Sequence, residues 1–310
     1  MENTKTNFYS LIHEICREQG IDCKDYADGW AFGLSKGNQS SFIFGYQFGL
    51  NLSAVQQICN DKGASSEILE VHGIPHVHHT AFMCPPMQKF VGGDGCFQEI
   101  LQIFEQSGRN LVVKDNEGTG GNLVFHVTRR KELELAAYEI FSRCNSIALC
   151  PYYEILQEYR VVLLDGEVKV IFSKIRQGLM GDGTSTLRTL YGKYLLSGGA
   201  GAGEQIPETE MNRIPANGEL YVFNWKHNLG QGAGAVLISQ EDAQDVTALA
   251  KQAADCLQVR FGSFDIIRTN EGLFVLEVNT GVMMENLAGM SQENYELVKS
   301  VYTEAIEKMV

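Results

Sequence analysis

The sequence predicts an α+β protein built on antiparallel sheets. Three stretches carry that reading. In "EYRVVLLDGEVKVIFSKIR", Glu158 to Arg176, the Asp165-Gly166 pair lies between two β-rich runs, and both turn positions tolerate positive φ, so the runs pair as a hairpin. In "FGSFDIIRTNEGLFVLEVNTG", Phe261 to Gly281, two further runs flank the turn "RTNEG". In "VVKDNEGTGGNLVFHV", Val112 to Val127, glycines separate two more. Helical stretches fall between these pairs and do not link one parallel strand to the next, which sets the chain apart from doubly wound folds.

The other elements follow in order. Phe8, Leu11, Ile12 and Ile15 share one face of a helix over 7–19, with Gly20 as its stop. "AFGLSKGNQSSFIFGYQFG" reads as short strands around glycine turns, and "SAVQQICNDKGASSEILEVHGIP" as two helices, the second ended by Gly73 and Pro75. "CFQEILQIFEQSGRN" is a helix leading into the strand "LVVK", and "RRKELELAAYEIFSR" is the next. Helices over 185–196 and 241–258 separate the remaining strands, and an amphipathic helix over 292–310 closes the chain.

Composition narrows the function. The 310 residues allow about two domains, and 44% apolar residues with only six prolines describe a chain that folds throughout. A net charge of −13 excludes nucleic acid and anionic membrane surfaces as partners, leaving small molecules or proteins. A nucleotide here needs local positive charge and a divalent cation. The eight cysteines form no CxxC pair and read as reduced thiols. The start "MENTKTNFYSLIHEICREQG" lacks signal-peptide features, and no uninterrupted apolar stretch spans a bilayer, so the expected location is the cytoplasm.

Two segments carry chemistry. Around Val112 to Val127, Lys114 precedes Gly118, Gly120 and Gly121, the reverse of a P-loop, and no GxGxxG is present. What remains is a strand, a glycine turn and a strand. It is either a loop closing over phosphates with its backbone N–H groups or an exposed hairpin. In the Phe261 to Gly281 hairpin, Glu277 and Asn279 share a face, while Leu276 and Val278 point the other way into a core. Asp265 falls opposite Glu277 or within one residue of it. Two carboxylates and an amide on one patch suit Mg²⁺ or Mn²⁺; the alternative is a solvated sheet face bearing ordinary charges. Lys62 opens a helix, "ALCPYYEI" is an apolar, partly extended joint, and Arg160, Lys174 and Arg176 follow at strand spacing.

The order DK, VVK-x-N-E-G-T-G-G-N, an apolar joint, EYR-x₅-G and D-x₁₁-E-x-N resembles the ATP-grasp carboxylate-amine ligases. Within them it is most similar to the ATP-grasp domain of cyanophycin synthetase and to glutamate ligases that extend peptide C-termini. "LSKGNQSSFIFG" and "MGDGTST" agree as well, and the match covers about Phe32 to Met290. The resemblance implies an ATP-grasp fold in which two α+β lobes with antiparallel sheets grip ATP: a reduced N-terminal region over 1–52, a first lobe over 53–150 and a second over 151–310. It implies that Lys62 and Lys114 contact the α- and β-phosphates, while Glu117, Gly118, Thr119, Gly120, Gly121 and Asn122 close over the phosphate chain. Leu149, Cys150, Pro151 and Tyr152 would hold adenine, with Glu154 or Glu158 on the ribose. Asp265, Glu277 and Asn279 match the magnesium ligands. Arg160, Lys174 and Arg176 would neutralise the γ-phosphate and an acyl-phosphate formed from it.

The implied reaction joins an amino-acid or peptide carboxylate to an amine, releasing ADP and phosphate. A phosphotransferase that forms no amide and a nucleotide-binding regulatory subunit are the alternatives. A homodimer is a family-based expectation. The short region ahead of Lys62 raises the need for a carrier peptide or partner subunit to complete the substrate site. Asp115 departs from the family, which often has proline there.

Three further stretches are read as peripheral. His76 and His78 share a strand face and offer a metal pair, but no acidic partner accompanies them in the sequence. "NWKHNLGQGAG", Asn224 to Gly234, is either a loop over the acceptor or γ-phosphate or a solvent loop. "GGAGAGE", Gly198 to Glu204, is a flexible surface connection.

Overall fold

The computed structural model describes residues 7–91, 96–175, 178–197, 206–222 and 234–310. The chain forms two compact units, a larger one from 1–171 and 238–310 and a smaller one from 172–237. Arg176 and the stretches 198–204 and 224–233 lie outside the described residues.

The larger unit opens with α1 (Asn7–Gln19), whose Phe8, Leu11, Ile12 and Ile15 are buried as the periodicity requires. A four-stranded antiparallel sheet follows, in the order β1 (Asp22–Tyr26), β2 (Ala31–Lys36), β3 (Gln39–Phe44), β4 (Gln47–Phe48). Strand β1 escapes sequence reading because its residues are mostly exposed and three of the five are charged, a composition suited to a sheet edge. Next come α2 (Ser53–Asn60) and α3 (Lys62–Val71); the Asp61 carboxylate caps α3 by accepting from the Ala64 N–H at 2.9 Å.

A second sheet runs β5 (Thr80–Met83), β8 (Ser146–Pro151), β6 (Leu111–Asp115), β7 (Val124–Val127), all antiparallel. With α4 (Pro85–Val91), α5 (Cys96–Gln106) and α6 (Arg130–Phe141) interleaved in sequence, it encloses a core of Ile100, Phe104, Val113, Leu133, Ile140 and Ile147.

Strand β9 (Gln157–Leu164) turns at Asp165 and Gly166, both at positive φ, into β10 (Glu167–Ile175). The end of β10 belongs to the smaller unit. There it pairs antiparallel with β13 (Gly234–Leu237), and β11 (Gly178–Met180) pairs with β12 (Leu220–Val222). Helix α7 (Leu187–Leu196) is capped by Thr186, and Leu179, Leu187 and Ile206 form this unit's core.

Back in the larger unit, α8 (Gln244–Leu257) leads into β14 (Phe261–Thr269) and β15 (Gly272–Asn279), with β14 paired antiparallel to both β9 and β15. Apolar residues of α8, β9, β14 and β15 fill a shared core, among them Ala250, Val161, Phe264, Val275 and Val278. The register slips at one point: Asp265 faces Glu277, but Ile266 faces Val275, leaving Leu276 as the extra residue of a β-bulge. Val275 and Val278 are therefore the buried pair, and Leu276 is only half-buried, which corrects the simple alternation that placed Leu276 in the core. The chain ends with α9 (Glu285–Ala288) and α10 (Gln292–Glu307), where the buried Tyr302 ring packs edge-on against Phe8 at 5.6 Å. Among the described residues no helix is long and apolar enough to cross a membrane, and the seven cysteines whose side chains are described are free thiols.

Candidate functional site

The centre of the site is Lys62. Asp61 starts α3 just before it, so the lysine projects from the first turn, and Gly63 lets that turn approach β5: a Cβ there would lie 2.5 Å from the Ala81 Cβ. The Lys62 ammonium is buried and donates to the Gly118 carbonyl at 2.6 Å and the Asn116 carbonyl at 3.2 Å. Its Nζ also lies 3.8 Å from Glu277 Oε1. One cation therefore joins the glycine turn to the carboxylate hairpin. Burial lowers the Lys62 pKa from its ordinary value, with the Glu277 charge acting in the opposite sense.

Lys114 is also buried, near the end of β6, and its ammonium has no hydrogen-bond or ion-pair partner among the described residues. Between β6 and β7 the loop holds Gly118 half-buried and Glu117, Thr119, Gly120 and Asn122 exposed. Gly120 and Gly121 sit at φ +70° and +71°, so this turn is available to glycine at little strain.

The carboxylates converge as their spacing predicts. Asp265 on β14 faces Glu277 on β15 and Arg160 on β9. The Arg160 guanidinium donates from Nε to Asp265 Oδ1 and from Nη2 to Oδ2, both at 2.7 Å. Burial lowers the guanidinium's pKa, but Asp265, reinforced by Glu158 and Glu277, outweighs it and holds the group above its ordinary value. Asn279, half-buried, lies two residues along β15 from Glu277, on the same side of the bulge and in unbroken register with β14. Two carboxylates and an amide therefore stand on neighbouring strands, an all-oxygen donor set whose chemistry fits a hard divalent cation.

The joint after β8 divides. Leu149 and Cys150 are buried strand residues, burial raising the Cys150 thiol pKa; Pro151 is exposed; and the half-buried Tyr152 ring stacks on His126 at 3.9 Å. Glu158 is buried on β9, and Glu154 is exposed. Lys174 is buried on β10 within the smaller unit, where it faces Ala235 of β13.

Sequence reasoning missed two neighbours of the lysines. The Asn116 side chain is fully buried and accepts from the Gly63 N–H at 3.1 Å, linking the glycine turn to α3. The buried His79 imidazole is held far below its ordinary pKa, first by burial and then by the Lys114 and Lys62 charges, so it is neutral. Neither has a local signal: Asn116 lies 53 residues from Gly63, and the state of His79 follows from burial beside the two lysines.

Comparisons with known proteins bear on the fold. No family model matches the chain. A cyanophycin synthetase of Trichormus variabilis is 22% identical over 246 residues, covering 74% of this chain and 26% of that protein, so the chain spans about a quarter of this relative. Among solved structures, a bifunctional glutathione synthetase from Pasteurella multocida superposes with a TM-score of 0.57 at 15% identity, covering 95% of this chain and 43% of that one. A D-alanine–D-alanine ligase from Bacillus anthracis gives 0.53 at 18% identity over 81% of this chain and 67% of its own, and the same enzyme complexed with ATP gives 0.50. The chain has the ATP-grasp fold, shared with these two ligases, and is similar in sequence to a cyanophycin synthetase.

Proposed function

We propose that the protein is an ATP-dependent, ADP-forming ligase that joins an amino-acid or peptide carboxylate to an amine through an acyl-phosphate. The observation that carries the proposal is the reach of Lys62, whose ammonium meets both the Gly118 carbonyl of the glycine turn and the Glu277 carboxylate. Two buried lysines beside a glycine turn create a demand for an anion, and a triphosphate answers it. The division into lobes at 53–150 and 151–310 belongs to the same proposal.

In this reading Lys62 and Lys114 hold the α- and β-phosphates, and residues 117–122 close over the chain and exclude water. Leu149 to Tyr152 receive adenine, with Glu158 or Glu154 on the ribose. Asp265, Glu277 and Asn279 would hold Mg²⁺ or Mn²⁺, which when bound supplies charge neutralisation on the phosphates. Arg160 orients the Asp265 carboxylate through two hydrogen bonds and opposes negative charge at the transferring phosphoryl group; Lys174 and Arg176 are assigned the same role on the sequence resemblance alone. A substrate carboxylate oxygen attacks the γ-phosphorus, breaking its bond to the β-phosphate oxygen and releasing ADP. The amine then attacks the acyl carbon, losing a proton as phosphate departs with the former carboxylate oxygen.

That last transfer gives the test. With Mg²⁺, ATP and a pool of amino acids and dipeptides labelled with ¹⁸O in their carboxylates, the released phosphate carries one ¹⁸O per amide formed. Amide formation with unlabelled phosphate would rule out the acyl-phosphate, and phosphorylated substrate without amide would make the protein a phosphotransferase.

A further inference from the structure

The histidines of "HGIPHVHHTAF" do have an acidic partner, which stands six residues before His76 and is brought beside it by the turn after α3. Glu70, in the last turn of α3, brings Oε2 to 3.6 Å from His76 Nε2 and 3.9 Å from His78 Nδ1, which corrects the reading that no acid accompanies them. All three ligand atoms lie within 4.8 Å of one another. Tetrahedral zinc with bonds of about 2.1 Å sets its ligand atoms about 3.4 Å apart, so two edges of this triangle already lie within about half an ångström of that spacing. We propose that Glu70, His76 and His78 form a second metal site, for Zn²⁺ or another first-row divalent cation that prefers imidazole, with a fourth position open to solvent.

The surroundings suit that role. His76 Nδ1 faces the Ile74 carbonyl at 2.8 Å, which places the proton on Nδ1 and the lone pair on Nε2, as second-shell carbonyls do for histidine ligands. Nε2 meets the Ser66 hydroxyl at 3.0 Å; that hydroxyl also accepts from the His79 N–H at 2.9 Å, and a cation would take the place of its hydrogen at Nε2. His76 is buried, while the His78 and Glu70 side chains are 57% and 65% exposed, so one ligand is fixed and two can close on an ion arriving from solvent. Two imidazoles and one carboxylate favour zinc over magnesium, separating this site from the oxygen donors of β14 and β15.

The position gives the site a consequence for the rest of the unit. Glu70 shares α3 with Lys62, and the His76 segment is bound to β15, Val77 N–H donating to the Val275 carbonyl at 2.9 Å and Val275 N–H to the Pro75 carbonyl at 3.0 Å. A cation here clamps α3 to the strand that carries Glu277. A second group, His13, Cys23 and Asp25, is less suited, since His13 Nε2 and Asp25 Oδ1 already meet in a direct 2.8 Å hydrogen bond.

The test is calorimetric titration of Zn²⁺ into chelator-treated protein in excess Mg²⁺, comparing wild type with Glu70→Gln and His78→Ala. Both positions face solvent, so the metal-free variants should melt as wild type does. The proposal expects each variant, having lost a direct ligand, to lose at least the roughly ten- to hundredfold in Zn²⁺ affinity that removing an outer-shell partner costs, and the Zn²⁺-induced rise in melting temperature to disappear. Co²⁺ should give visible tetrahedral bands without thiolate-to-metal charge transfer. Unchanged affinity in both variants, or a thiolate band abolished by Cys23→Ser, would overturn it.

Discussion

Asp265→Asn isolates the most consequential electrostatic contact in the larger unit. Arg160 and Asp265 are joined by two hydrogen bonds of 2.7 Å, and their side chains are only 17% and 6% exposed. Asparagine keeps the shape and one acceptor oxygen, but it removes the counter-charge and leaves one guanidinium N–H facing an amide NH₂. Breaking a buried pair from one side costs about 3–5 kcal/mol. Glu158 and Glu277 remain near Arg160 and offset part of that loss, so the low end applies, about 3 kcal/mol. Urea unfolding followed by circular dichroism, with linear extrapolation, reads the change. The double variant Arg160→Met, Asp265→Leu removes both charges and should be more stable than Asp265→Asn alone. A loss below about 1 kcal/mol, or a double variant showing the full sum of its single losses, would refute the idea that Asp265 compensates a desolvated guanidinium.

Two other perturbations test the frame around the site. Gly63→Ala would put a Cβ 2.5 Å from the Ala81 Cβ, forcing α3 away from β5; we expect a loss of about 1–3 kcal/mol in thermal unfolding together with weaker nucleotide binding as Lys62 shifts, whereas a variant as stable as wild type would show that the close approach is relaxed at no cost. At the start of α6, Glu132 accepts from the Thr128 and Arg129 N–H groups, each at 3.0 Å, and from the Arg129 guanidinium, which with the backbone bonds lowers its pKa to about 2. A depressed carboxyl pKa stabilises the fold above its ordinary value of 4.5 and loses that effect as pH falls toward 2, so the deficit of Glu132→Gln in melting temperature should shrink across this window and not stay constant.

The sequence showed those parts of the site that lie close together along the chain. The β14–β15 hairpin was legible because a turn signal fixes where two runs meet, and the register then follows residue by residue. The bulge at Leu276 was not, since a single inserted residue leaves no mark in a run of Leu, Val and Phe, yet it alone decides that Val275 and not Leu276 is buried. Contacts across the fold were hidden for a different reason. Lys62 lies 56 residues from Gly118, and Glu70 reaches its histidines only because the turn after α3 reverses the chain. Arg160 is read from the sequence as a candidate site cation, but its bidentate partner Asp265 is a cross-strand neighbour from 105 residues away. The neutral state of His79 depends on burial beside two lysines, which no local pattern encodes.

The most direct measurement of the central claim is release of ADP and phosphate with Mg²⁺ and ATP across a panel of amino acids and dipeptides, with products read by mass and Glu277→Gln in parallel. The account predicts ADP release that depends on a particular pair of substrates, a product weighing the two acids less one water, and loss of both in the variant. Binding of ATP with no substrate-stimulated ADP release from any pool, and a variant indistinguishable from wild type, would contradict it.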